Sequence, residues 1–169
     1  VNTSLKPTAE IKYGPVRLPQ KPTIEPYVAA FKQVRYPLLN SAKMSLAATL
    51  LSSFVGSITG YIFSKFKFKY SNVLFLVIII GFYIAPQSIL IPLVLFMGKF
   101  KLYNSVLSLV LTHTAYGVPI TTMLFKNYYD SIPGELVDSA IVDGCDVPRI
   151  YRSIFLPLSL PGFSVVGIF

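Results

Sequence analysis

Three long apolar stretches, separated by short polar turns, constrain this chain more than any other feature. They cover about residues 40–63, 73–97 and 104–125, and no Asp or Glu occurs between Glu25 and Asp130. Each stretch reaches the roughly 20 residues that a helix needs to cross a bilayer. Apolar residues make up 53% of the chain and charged residues only 13%. We therefore predict an all-α membrane protein, a polytopic bundle of transmembrane helices.

Small residues run along the first apolar stretch, at positions that include Ala48, Ser52, Gly56 and Gly60. Small side chains allow helix backbones to approach closely within a membrane, where water provides no force to bring helices together. We expect this helix to be packed inside the bundle rather than surrounded by lipid.

Two prolines, Pro86 and Pro92, interrupt the second apolar stretch, and Gln87 and Ser88 lie between them. Proline in a membrane helix leaves a backbone carbonyl without its donor, so the helix kinks there. The kink could line a transport pathway, with Gln87 and Ser88 facing it, or could serve packing against the first stretch. The sequence leaves both interpretations open.

The third stretch has a polar middle that includes His113 and Tyr116, followed by Gly117 and Pro119, which predict a bend. Polar side chains inside a membrane are costly and are often functional. His113 and Tyr116 are therefore candidates for lining the pathway. A histidine that is simply hydrogen-bonded within the bundle is the alternative.

The turn between the first two stretches contains three lysines, Lys65, Lys67 and Lys69. Basic residues near span ends favour the cytoplasmic side, so we place this turn there. Two further crossings put the region after Asp130 on the same face. The proline-rich residues 1–39 are then external, with a short helix at 24–32 capped by Thr23; they serve either as a contact surface or as a passive spacer.

A polar island follows at residues 131–162; together with Asp130 it holds five of the seven carboxylates. Its first part predicts a short helix that Ser131 caps, with Pro133 in the opening turn. Ile132, Leu136, Ala140 and Ile141 form its apolar face. The helix should end at Gly144, because glycine readily adopts the positive φ of a C-terminal cap.

The second part of the island predicts another short helix, capped by Asp146, with Pro148 in its first turn. Leu156 and Pro157 should end it before the next apolar run. Helices shorter than about 12 residues are marginal in water, so each of the two must dock on something.

The spacing of the island is specific. Asp138-Ser139-Ala140 is followed after three residues by Gly144 and after nine more by Ile154, with Leu156-Pro157 just beyond. This pattern resembles the EAA loop of permease subunits of binding-protein-dependent ABC importers, in which Glu and Ala are usual at the first two positions. An ordinary cytoplasmic loop punctuated by glycine and proline is the alternative.

The resemblance implies that residues 130–157, which we call the coupling loop, insert into a cleft of a separate ATPase on the cytoplasmic side. The residues expected to take part are Glu135, Asp138, Ser139, Ala140, Gly144, Ile154, Leu156 and Pro157.

Softer motifs, such as Ile91-Pro92-Leu93 and Leu156-Pro157-Leu158, resemble carbohydrate permeases of the maltose-transporter type, in particular the second permease subunit. The similarity covers about residues 37–169. It implies an external segment at 1–39 and a transmembrane permease domain at 40–169, in the plasma membrane of a prokaryote. One crossing would precede Val1, and residues 163–169 would begin a fourth full span. The implied partners are a second permease, ATPase subunits, an external solute-binding protein and a sugar.

The motifs of other mechanisms do not occur in the sequence. Gly98-Lys99 lacks the upstream glycine of a phosphate-binding loop. No catalytic triad or metal-ligand pattern is present, so we expect a non-enzymatic chain without a cofactor, with ATP and Mg²⁺ bound by the partner ATPase. The net charge of +8 lies in loops, which fits a membrane surface better than nucleic acid. The alternatives are an ABC permease for a polyamine or peptide, or a secondary carrier or channel, although proton-coupled carriers commonly use intramembrane carboxylates.

Overall fold

The computed structural model describes Leu5 and residues 22–168, and every helix or strand that it forms there is helical. This confirms the predicted all-α class. The chain divides into two compact units, Val1–Lys43 and Met44–Phe169. In chain order the helices are α1 (Glu25–Lys65), α2 (Ser71–Tyr83), α3 (Leu90–Lys99), α4 (Val106–Asp130), α5 (Glu135–Val142), α6 (Val147–Ile150), α7 (Leu156–Leu158) and α8 (Leu160–Ile168), with a 3₁₀ turn at Pro86–Ile89 and a π-helical turn at Tyr151–Phe155.

Two of these helices, α1 and α4, are each long and apolar enough to cross a membrane. Two bent pairs also pass this test when each pair is taken together. Ser71–Tyr83 with Pro86–Lys99 is bent by 92°, and Val147–Leu158 with Leu160–Ile168 by 65°. The described residues thus provide two to four crossings.

Helix α1 is 41 residues long and begins at Glu25. The Thr23 hydroxyl accepts a hydrogen bond from the Glu25 backbone N–H at 3.1 Å, as expected for a residue at the start of a helix. The predicted short helix at 24–32 is wrong in its end. Pro37, which the pattern treats as a break, is accommodated within the helix because its fixed φ is helical. Most of the external segment predicted at 1–39 lies outside the described residues.

The predicted second span is two helices rather than one kinked helix. The break lies at Ile84 and Ala85, both in extended conformation, because the residue before a proline is disfavoured in the helical region. Pro92 does not interrupt the chain, contrary to our expectation. It lies in the first turn of α3, where a backbone donor has no partner within the helix.

Helix α4 covers the predicted third span and continues through Gly117 and Pro119 to Asp130. It packs against α1 through small residues. A Cβ atom added at Gly117 would lie 2.8 Å from the Ser52 Cβ, and one added at Gly56 would overlap the Thr121 side chain. The Thr121 hydroxyl also donates to the Ser52 carbonyl at 2.9 Å. The predicted packing of small residues of α1 inside the bundle is confirmed for Ser52 and Gly56.

The buried core lies at one end of the bundle, where α1, α4, α8 and the coupling loop meet. Aromatic and aliphatic side chains from all four fill it: Tyr61, Phe125, Tyr129, Val137, Ala140, Ile150, Phe155 and Val166. Helix α2 packs on the side of α4, where Gly81 faces Pro119. The core therefore holds the coupling loop on the ends of the two long helices.

Candidate coupling site

Helix α5 begins after a short turn that the sequence analysis placed differently. Gly134 is its N-cap residue, and it has no side-chain cap. Ser131 caps the end of α4 instead, and its hydroxyl donates to the Tyr128 carbonyl at 2.6 Å. The prediction that Ser131 caps α5 is therefore wrong, because α4 continues five residues beyond the expected span end and reaches Asp130.

The end of α5 is a Schellman motif at Gly144, which has a φ of +78°. The Cys145 N–H bonds to the Ala140 carbonyl at 2.9 Å and the Gly144 N–H to the Ile141 carbonyl at 3.0 Å. These two bonds satisfy carbonyls that the helix leaves without partners. The predicted positive φ at Gly144 is confirmed.

Helix α6 begins as predicted, because the Asp146 carboxylate accepts a hydrogen bond from the Arg149 N–H at 3.1 Å and Pro148 lies in the first turn. The chain then widens into the π-helical turn Tyr151–Phe155 and continues into α7, which contains Pro157. The predicted helix end at Leu156 and Pro157 is wrong. A wider turn ahead of a proline gives room for the ring and for the carbonyl that loses its donor.

One face of α5 is buried and the opposite face is exposed. Val137 and Ala140 are 6% and 7% exposed, whereas Val142 is 87% exposed. At about 100° per residue, Glu135, Asp138 and Ser139 point away from the buried pair. The predicted apolar face is therefore partly wrong: Ala140 is buried, but Leu136 and Ile141 lie at its borders and are exposed. The second apolar side of the helix made the pattern ambiguous.

The eight predicted coupling residues fall into two groups. Those exposed to solvent are Glu135, Asp138, Ser139, Gly144 and Pro157. Ala140 is buried, and Ile154 and Leu156 are half-buried, with Ile154 packed against the core. The structure thus assigns the first group to an accessible surface and the second to the attachment of the loop. Their contact with an ATPase stays a prediction.

The acidic residues of the coupling loop are placed in two ways. Asp130 pairs with Lys126 at 2.6 Å and accepts a hydrogen bond from the Ser64 hydroxyl at 2.7 Å. Within the described part of the chain this is the only ion pair, so Glu135 and Asp138 have no basic partner there. Their exposed charges are available to a partner protein.

The coupling loop and the lysine-rich turn lie at the same end of the bundle, as the crossing count predicted. The Lys65 ammonium donates to the Ile132 carbonyl at 2.6 Å. It also lies 5.7 Å from the centre of the Phe155 ring, over its face. These contacts tie the end of α1 to both halves of the loop.

Sequence reasoning missed a group of three hydroxyls beneath the loop, which we call the hydroxyl cluster: Ser57, Tyr129 and Tyr151. The Ser57 Oγ lies 2.6 Å from the Tyr129 hydroxyl and 2.9 Å from the Tyr151 hydroxyl. The three residues are far apart in the sequence, and Tyr129 had been placed at the membrane interface rather than in the core. No local motif marks such a contact.

A cleft of about 760 Å³ lies between α3 and α4. His113 and Tyr116 line it together with mainly apolar side chains, whereas the exposed Gln87 and Ser88 are not among its lining residues. The His113 Nδ1 lies 2.8 Å from the Leu109 carbonyl. The Tyr116 hydroxyl is buried and has no hydrogen-bond partner within the described residues. Their role as pathway residues stays a prediction. Across the same residues, no group of three His, Cys, Asp or Glu side chains could hold a metal ion.

Comparison with protein families matches residues 52–167 to the binding-protein-dependent transport system inner membrane component. The chain belongs to this family. The matched region contains most of α1, the broken second span, α4 and the entire coupling loop. With the apolar helices described above, membership confirms the predicted multi-pass protein of the plasma membrane and the resemblance on which the coupling loop was named.

Individual relatives of this permease chain are transport proteins. A probable ABC transporter permease protein of Pyrococcus horikoshii is 52% identical over 101 residues, which cover 60% of this chain and 37% of the relative. A xylose/arabinose import permease of Haloferax volcanii is 34% identical, over 83% of this chain and 51% of the relative. A sulfoquinovosyl glycerol transport system permease of Agrobacterium fabrum is 30% identical, over 98% of this chain and 59% of the relative. The chain thus spans roughly 40 to 60% of the length of these relatives.

Proposed function

We propose that this chain is part of the permease subunit of an ATP-driven importer that brings a sugar across the plasma membrane. The observation that carries the proposal is the two-sided coupling loop on the ends of α1 and α4. One side is fixed in the core by Val137 and Ala140, and the other presents unpaired carboxylates and exposed apolar side chains.

The exposed side of the loop suits a protein partner. Leu136, Ile141 and Val142 are 42%, 53% and 87% exposed, and they surround Glu135 and Asp138. Apolar side chains that stay in water next to unpaired charges are typical of a surface that another protein covers. A separate ATPase that grips this surface would move the ends of α1 and α4 as it closes.

Energy for transport would come from that ATPase, which would bind ATP and Mg²⁺. We infer that this chain is not itself catalytic and needs no cofactor. A second permease subunit and an external solute-binding protein complete the proposed assembly, in keeping with the binding-protein-dependent family.

The sugar assignment draws support from the relatives whose printed names include xylose/arabinose and sulfoquinovosyl glycerol. The cleft beside α4 offers a route for such a solute. A sugar needs hydroxyl and imidazole partners along a mainly apolar wall, and Tyr116 and His113 provide these groups.

The test is Gly144→Glu in the full-length permease, assembled with its partners. A side chain at φ +78° is strained by about 1–2 kcal/mol, although a Cβ there would meet nothing within 4 Å. The strain should distort the loop. We expect normal insertion into the membrane, but a roughly tenfold loss of ATPase recovered with the permease and of solute uptake.

Gly134→Glu is the matched control, because Gly134 lies in the same loop, has a φ of −66° and is equally open. It adds the same charge without backbone strain, so uptake should stay within about threefold of wild type. Full ATPase binding and full uptake in Gly144→Glu would refute the proposed coupling role.

A further inference from the structure

The hydroxyl cluster is the only place in the described residues where side-chain hydroxyls from α1, α4 and the coupling loop meet at one atom, the Ser57 Oγ. Ser57 and Tyr129 are both fully buried, at 0% exposure. A serine hydroxyl has one donor and two acceptor sites, so it can bond both tyrosines at once.

Burial makes these bonds consequential. A hydroxyl that loses its partner inside a protein keeps the cost of leaving water, and no solvent replaces the bond. Hydrogen bonds also hold atoms at a defined distance and angle, whereas apolar surfaces slide past one another with little change in energy. The three hydroxyls therefore fix the position of the loop relative to both long helices.

A second attachment lies one helical turn along α1. The Tyr61 hydroxyl donates to the Val147 carbonyl at 3.3 Å. Its ring lies against Tyr151 and Phe155, with centroid distances of 5.3 and 4.7 Å. The segment from Val147 to Phe155 is thus held to α1 at two successive turns, and through Ser57 to α4.

We propose that Ser57, Tyr129 and Tyr151 are positioning residues that transmit movement of the coupling loop to α1 and α4 during transport. The inference rests on the proposed function, because it assumes that an ATPase moves the loop. The hydroxyl cluster makes no contact with ATPase or solute in this scheme. Its loss should leave docking and ATP hydrolysis in place while less solute moves for each ATP consumed.

The experiment uses the full-length permease in its assembled transporter, reconstituted in proteoliposomes with the solute-binding protein. Ser57→Ala, Tyr129→Phe and Tyr151→Phe each remove one hydroxyl and keep nearly all of the packing. We expect uptake per ATP hydrolysed to fall about fivefold in each, the factor that one net hydrogen bond supplies. Recovery of the ATPase with the permease should stay within twofold of wild type.

A triple variant that combines these three changes separates coupling from stability. Replacing every partner of a buried network by apolar groups can be nearly neutral for stability. The triple variant should therefore unfold at a temperature close to wild type and yet remain uncoupled. If uptake per ATP returned to the wild-type value along with stability, the role would be structural only and the proposal overturned.

Ser52→Ala is the matched control. Ser52 is also a buried serine on the same side of α1, but its hydroxyl donates only to the Thr49 carbonyl of its own helix, at 3.2 Å. We expect uptake per ATP to be unchanged. An equal loss in Ser52→Ala, or no loss in the Ser57, Tyr129 and Tyr151 variants, would refute the inference. If the wild-type transporter showed no ATP-dependent uptake, the proposed function would fail and this inference with it.

Discussion

Gly60 offers the sharpest test of how α1 and α4 are joined, because it lies where their backbones are closest to the core. A Cβ atom added there would lie 2.8 Å from the Lys126 backbone nitrogen and 2.8 Å from the Phe125 Cβ. The first of these neighbours belongs to the backbone, so rotation of a side chain does not relieve the contact. Gly60→Ala must push the helices apart.

The expected cost follows from these distances. Ordinary contacts begin near 3.4 Å, so α1 and α4 must separate by about 0.6 Å around this point. Forcing an additional methyl group into a packed site costs about 1–3 kcal/mol. The better helix propensity of alanine returns about 0.5–1 kcal/mol. We predict a net loss of about 1–2 kcal/mol, which changes the unfolding equilibrium roughly tenfold.

Unfolding of the purified full-length permease by a denaturing detergent would measure this loss. Gly98→Ala is the control, since a Cβ at Gly98 in α3 meets nothing within 4 Å. That variant should be as stable as wild type or slightly more so. The reasoning about close packing would be refuted if Gly60→Ala were no less stable than Gly98→Ala.

Three further predictions address other parts of the molecule. Asparagine tolerates a positive φ better than valine does, so Gly144→Asn should retain most of the solute uptake and Gly144→Val should lose about tenfold, measured in the same transport assay; equal uptake by both would refute the conformational argument. Tyr116→Phe should raise the KM for uptake about fivefold if its unpartnered hydroxyl bonds the solute. Tyr103→Phe, in the same cleft but 68% exposed, should change the KM little, and an unchanged KM in Tyr116→Phe would remove that residue from the pathway. Asp130→Asn breaks an exposed ion pair with Lys126 and should cost less than about 1 kcal/mol of unfolding free energy in detergent titration; a loss above about 3 kcal/mol would show that the pair is more than a surface contact.

Local features of the sequence predicted the membrane helices and the outline of the coupling loop. Apolar stretches of spanning length, the Asp146 cap and the positive φ of Gly144 depend on neighbouring residues, which the sequence displays directly. The equality of face between the lysine turn and the coupling loop required only counting crossings. These expectations hold in the structure because the physical causes are local.

The features that failed depend on competition between residues distant in the chain. Ser131 can cap either the helix before it or the helix after it, and the longer α4 took it. Leu136 and Val137 are both apolar, and only the position of the core decides which is buried. The hydroxyl cluster joins residues 57, 129 and 151, and no periodicity connects such positions. Tertiary packing, rather than propensity, determined each of these outcomes.

The π-helical turn at Tyr151–Phe155 has a consequence for the length of the chain. A π turn holds about one residue more than an α turn. Deleting one residue from it would let the segment close into a regular α-helix and would rotate everything that follows by about 100°. Gly162 and Val166, which face Phe125 and the core, would then swing towards the outside. The number of residues between the coupling loop and α8 is therefore as constrained as their identity, and an insertion or deletion here would disrupt the last helix even if every side chain were conserved.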